Sequence, residues 1–156
     1  MPRRTAAFEE ESRDPEFPLW RWPRLVIAGN GGSMVKRVVV IEDEPNISEA
    51  IRYILTRNGW QVDVSPDGVG AVQSLCDDPP QMLILDVMLP NISGFEILKQ
   101  LRQDARTEGL PVLMLTAKGQ DADRARAEAL GVSRFMTKPF ANSEVIAAVD
   151  ELAGVK

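Results

Sequence analysis

Four apolar runs in this sequence lead into groups that can do chemistry. Val38–Ile41 is followed by Glu42 and Asp43, Met82–Leu85 by Asp86, Pro111–Leu115 by Thr116, and the short pair Phe135–Met136 by Lys138-Pro139. Three carboxylates gathered within a few ångströms repel one another and raise each other's pKa. A divalent cation removes that cost, and Mg²⁺ favours one or two carboxylates, waters and phosphate oxygens. A carboxylate is also a nucleophile toward phosphorus and forms an aspartyl phosphate. A transferring phosphoryl group needs its charge neutralised and its geometry fixed. Lys138 offers the cation and Thr116 a hydroxyl donor. The chain has no histidine and one cysteine, Cys76. Histidine nucleophiles, bases and metal ligands are thereby excluded, and so is an internal disulfide. A reducing compartment follows.

Elements of a particular kind must bring these groups together. Ile47, Ile51, Ile54 and Leu55 recur at helical spacing and stop at Gly59. Val62 and Val64 alternate with polar residues, as an edge strand does. Asp67 is placed to cap a helix through Val72, Leu75 and Cys76, and Asp77 and Asp78 read as caps or turn residues. Ser93-x-x-Glu96 is a capping-box signature before Phe95, Leu98 and Leu101. Asp121–Leu130 is an alanine-rich helix ending at Gly131, and Asn142 precedes a last helix carrying Val145, Val149 and Leu152. Five strands alternating with five helices imply an α/β fold, a parallel sheet covered on both faces. The three central runs are continuously apolar, as buried parallel strands are. In such a sheet all strand C-termini share one edge, and ligands bind there where the strand order reverses.

The 156 residues, 44% apolar and 26% charged, suit one domain with some extra. The net charge of -5 and the pI near 4.8 give no general attraction for nucleic acid or anionic lipid. No apolar run reaches the roughly 18 residues of a membrane helix, and Arg3 and Arg4 precede no signal-peptide core. Residues 1–33 carry four prolines, the acidic run Glu9–Glu11, Trp20 and Trp22, with no regular period. They are expected to be a flexible extension, and residues 34–156 the folded domain.

The strings VVVIEDEPNI, LILDVMLPNISGFEIL, VLMLTAKGQ and FMTKPF, in that order, resemble the response-regulator receiver family, from about Val35 to Leu152. The resemblance implies the three-layer, doubly wound flavodoxin/CheY-like (βα)5 fold with strand order 2-1-3-4-5. It implies that Asp86 is the phosphoacceptor of a two-component system. Asp43, Asp86 and the Met88 backbone carbonyl would hold Mg²⁺, which Mn²⁺ could replace, with Glu42 acting through water. Lys138 would contact the phosphoryl group, Thr116 would be the switch hydroxyl and Phe135 the switch aromatic. Lys138-Pro139 would be a cis peptide, and Met88 and Lys118 would be tuning positions. The implied partners are a sensor histidine kinase or histidine phosphotransfer protein, and a protein target on the face of the fourth helix, fifth strand and fifth helix. Neither direct nucleic-acid binding nor membrane insertion is implied, and the setting is cytoplasmic.

Blander readings stand beside these. Asp86 alone is a strand-end cap, Phe135 alone a core residue, Cys76 an apolar filler. Asp86 gains its reading from the company of Asp43, Thr116 and Lys138. Val132-Ser133-Arg134 follow Gly131 where many DNA-binding members carry two acids, which puts their style of dimer in question. With Lys156 directly after the last helix, a stand-alone domain is expected. The alternatives are a truncated DNA-binding regulator and an aspartate-nucleophile phosphatase. The second wants an acid two residues past its nucleophile, where this chain has Met88.

Overall fold

A computed structural model describes residues 36–117 and 121–154. Lys118 and the extension expected over residues 1–33 lie outside the described residues. Strands β1 (Arg37–Ile41), β2 (Gln61–Ser65), β3 (Met82–Asp86), β4 (Val112–Thr116) and β5 (Arg134–Thr137) alternate with helices. The helices are α1 (Pro45–Arg57), α2 (Ala71–Asp77), α3 (Gly94–Arg102), α4 (Asp121–Ala129) and α5 (Asn142–Ala153). Every strand pair is parallel, in the order β2-β1-β3-β4-β5. The expected fold and strand order are both met.

Two-sided covering explains the composition of the strands. Val38 and Val40, Met82 and Ile84, and Leu113 and Leu115 join one core with Ile51 and Leu55 of α1 and Val145, Ala148 and Val149 of α5. The intervening residues of β1, β3 and β4 point to the opposite face, where α2 and α3 pack side by side. All five residues of β3 and of β4 are buried, so neither strand has a solvent side to mark with polar residues.

Local chemistry sets the helix ends. α1 starts with Pro45, whose missing N–H is no loss in the first turn. It stops in a left-handed turn at Gly59, φ 89°. There the Gly59 N–H donates to the Thr56 carbonyl and the Trp60 N–H to the Leu55 carbonyl. Trp60 and Leu55 both belong to the core, so the turn also closes an apolar contact. At α3 the Ser93 hydroxyl accepts the Glu96 N–H at 3.3 Å. Glu96 itself accepts from Gln100 at 3.1 Å, so only the serine half of the expected capping box is shown.

Two expectations change. Asp67 does not cap α2: its carboxylate accepts the Val69 N–H at 3.0 Å, and Gly70 at φ 77° holds the N-cap position. An aspartate two residues upstream of a backbone N–H makes a tight local turn as readily as a helix cap. Asp78 does end α2, but its carboxylate also lies 3.5 Å from Arg37, and Asp77 lies 3.3 Å from Arg106. Among the described residues no helix is long and apolar enough to cross a membrane.

Candidate functional site

Strands β1 and β3 are neighbours in the sheet, and the chain winds outward from them in opposite directions. Their C-terminal ends therefore open the crevice where such folds bind ligands. Ile41 pairs with Leu85, which places Glu42 beside Asp86. Ligand oxygens of Glu42, Asp43 and Asp86 all lie within 4.8 Å of one another. Their surroundings differ. Glu42 and Asp86 are 1% and 2% exposed, whereas Asp43 faces solvent.

Lys138 reaches this cluster from the loop after β5. Its Nζ lies 3.0 Å from Glu42 Oε1, 3.3 Å from Asp86 Oδ1 and 3.7 Å from Glu44 Oε1. The Lys138 N–H donates to the Thr116 carbonyl at 2.7 Å, so the end of β4 fixes the base of the lysine. The Lys138-Pro139 peptide is cis, as expected. The Glu44 N–H donates to Glu42 Oε2 at 3.2 Å, and the Met88 N–H lies 3.4 Å from Asp86 Oδ1.

The electrostatics follow from burial. Desolvation pushes the Glu42 carboxyl up to about 7, against the pull of Lys138, and the Asp86 charge adds to the rise. Desolvation also raises Asp86, again opposed by Lys138. For Lys138, burial alone favours the neutral amine, but the Glu42 and Asp86 carboxylates outweigh it and the pKa rises. One ammonium is shared by more carboxylates than it can neutralise. An all-oxygen set this compact, with negative charge to spare, suits a hard divalent cation, so the residues present fit Mg²⁺.

A backbone contact shapes the floor of the site. The Gly94 N–H donates to the Val87 carbonyl at 2.9 Å. A Cβ at Gly94 would drive into the Asp86 carbonyl oxygen. The start of α3 thus packs directly against the backbone of Asp86, and only glycine permits that approach.

Of the remaining expected residues, Thr116 and Met88 sit at the same end of the sheet and Phe135 lies further in. Thr116 ends β4 and is buried. Phe135 pairs with Met114 and Thr137 with Thr116, so Phe135 lies on the neighbouring strand two positions below the Thr116 level, on the same sheet face. Its ring is largely buried, with the Arg124 guanidinium 5.1 Å from the centroid. The Met88 side chain is 70% exposed at the rim. Sequence reasoning missed two residues, Glu44 and Gly94. Glu44 reads as one more acid in a solvated turn, and only the fold brings Lys138 to it. Gly94 was legible only as an unexplained glycine beside a cap.

A doubly wound parallel sheet with two acids after β1, an acid at the end of β3 and a lysine after β5 defines a receiver-type signalling domain. The chain belongs to the response regulator receiver domain family, whose pattern matches residues 38–150. It is 41% identical over 116 residues to the phosphate regulon transcriptional regulatory protein PhoB of Rhizobium meliloti, covering 74% of this chain and 51% of that protein. It is 40% identical over 116 residues to the alkaline phosphatase synthesis transcriptional regulatory protein PhoP of Bacillus subtilis, covering 74% of this chain and 48% of that one. The chain thus spans about half the length of these curated relatives. Among solved structures, a response regulator of Chloroflexus aurantiacus superposes with a TM-score of 0.74 at 29% identity, covering 78% of this chain and 99% of that one.

Proposed function

We propose that Asp86 is the residue that accepts the phosphoryl group. The observation that carries this is the buried Glu42–Lys138–Asp86 group, with Lys138 Nζ at 3.0 and 3.3 Å from the two carboxylates. A carboxylate oxygen of Asp86 attacks the phosphorus of a phosphohistidine on a sensor kinase or phosphotransfer protein. The P–N bond breaks and its electron pair returns to the imidazole. Lys138 offsets the charge of the arriving group, for which its ammonium is already in place. Mg²⁺, or Mn²⁺ in its stead, would be held by Asp43, Asp86, the Met88 carbonyl and Glu42 through water, and would neutralise the phosphoryl oxygens.

The acyl phosphate carries about two negative charges where the Asp86 carboxylate carried one. The Thr116 hydroxyl turns to donate to the new oxygens, and Phe135 moves toward the space it leaves. That biases a two-state equilibrium and changes the α4–β5–α5 face, where a protein target docks in the cytoplasm. The Met88 side chain is apolar and cannot orient an attacking water, so the phosphorylated state is moderately long-lived; an unchanged decay rate in Met88→Asn would remove that role. Residues 34–156 form the receiver and 1–33 its extension. Transcriptional control through sequence beyond this chain is a second reading, favoured by the names and greater length of the two curated relatives.

The test is labelling by acetyl phosphate with Mg²⁺. Wild type should gain an acid-stable, base-labile label, and Asp86→Asn none. A label of that kind surviving in Asp86→Asn would remove Asp86 from the role.

A further inference from the structure

Lys138 holds one more carboxylate than phosphoryl acceptance requires. Beside the buried Glu42 and Asp86 lies Glu44, at 3.7 Å with its side chain 62% exposed. Glu44 occupies the N-cap of α1 in an extended conformation, yet makes no side-chain cap hydrogen bond. Short residues such as Ser or Asp suit that position because their oxygens reach the free N–H groups of the first turn. The longer Glu44 side chain instead reaches across to the lysine from the β5 loop. Its backbone is part of the site as well, since its N–H holds Glu42 Oε2 at 3.2 Å. Of the three carboxylates on Lys138, only that of Glu44 can swing away without leaving a buried charge behind.

Resting on the acceptor reading of Asp86, we propose that Glu44 is a positioning residue that engages Lys138 in the resting site and restrains the acceptance of anionic phosphodonors. A phosphoryl group arriving at Asp86 needs the Lys138 ammonium, and the exposed carboxylate must yield it. Until it does, its charge also repels the donor. With acetyl phosphate, the bond from phosphorus to the acetate oxygen breaks as the bond from an Asp86 oxygen forms, and acetate leaves with the electron pair. The restraint is Coulombic and solvent-exposed, so it weakens as salt shortens the screening length. It also grows with donor charge, being larger for dianionic acetyl phosphate than for phosphoramidate, which carries one net negative charge.

The experiment measures second-order labelling rates of the full chain with both donors at saturating Mg²⁺, at low and high ionic strength. Variants are Glu44→Gln, Glu44→Lys and Glu44→Asp, with thermal unfolding followed in parallel. Glu44→Gln should raise the acetyl phosphate rate about two- to five-fold at low salt, the range open to an exposed ion pair. Glu44→Lys should raise it further, and Glu44→Asp, which keeps the charge but is too short to hold Lys138, should raise it less than Glu44→Gln. Phosphoramidate rates should change less, and the variants should converge on wild type in high salt. Rates that change equally for both donors at every ionic strength, or not at all, overturn the proposal while leaving Asp86 as acceptor. Absence of label on wild type from either donor overturns the acceptor reading, and this inference with it.

Discussion

Glu42 should make the metal-free protein less stable as pH rises. The carboxyl is 1% exposed, and desolvation moves it from 4.5 to about 7. The folded protein therefore holds that proton more tightly than the unfolded chain does, and between pH 4.5 and about 7 the native state binds more protons. Stability must then fall with rising pH across that window and level off above it. The full shift corresponds to about 3 kcal/mol. Lys138, 3.0 Å away, adjusts as the charge appears, so we expect about 1–3 kcal/mol to be realised. The assay is urea unfolding in EDTA at several values from pH 5 to pH 8, with Glu42→Gln as reference. Asp63 is also raised by burial and Asp86 likewise, so the informative quantity is the difference between the two curves. Wild type should lose about 1–3 kcal/mol more than Glu42→Gln over this range, and millimolar Mg²⁺ at pH 8 should restore part of the loss. Parallel pH profiles in the two proteins would refute the claim that Glu42 is a buried, proton-holding acid.

Other outcomes follow from neighbouring geometry. Gly94→Ala pushes a methyl group into the Asp86 carbonyl and should cost about 1–3 kcal/mol in urea unfolding, the usual range for overpacking; an unchanged midpoint would show that α3 does not rest on that backbone. Mg²⁺ should raise the wild-type thermal midpoint in proportion to the logarithm of its concentration above Kd, and Asp43→Asn should abolish most of that rise. Equal shifts in the two proteins would take Asp43 out of the metal set. Arg37 lies 3.4 Å from Asp63 and 3.5 Å from Asp78, all three side chains largely shielded. Arg37→Met should cost about 2–4 kcal/mol at neutral pH, since it removes the guanidinium 3.4 Å from the shielded Asp63 carboxylate, and less in acid, because burial raises Asp63. A cost independent of pH would mean that packing, not charge, is what the arginine supplies.

The legible parts of this protein were those with a local signature. Val38–Ile41, Met82–Leu85 and Pro111–Leu115 show in the sequence as apolar runs because both faces of each strand are covered, and the structure buries all of these residues except the half-buried Pro111. The residues at their ends were identifiable for the same reason, since a polar group after such a run must sit at a strand terminus. Asp67 was misjudged because its side chain satisfies a nearby N–H equally well in a turn or a cap, and Gly70 tips the choice. Asn142 was expected to precede the last helix but is its first residue; Ala141 takes the N-cap position, with its N–H held by Glu144 at 2.7 Å.

By itself, the sequence determined the alternation of strands and helices and the set of acids and the lysine that could meet at one edge, because side-chain periodicity and strand-end chemistry are local. Only the tertiary structure decided how the charges are partitioned there. Adjacent in sequence, Glu42 is buried and Asp43 exposed, and Glu44 meets Lys138 only because β5 lies where it does. Desolvation and Coulomb attraction depend on what surrounds a group in space, and residues far along the chain set that for every member of this site.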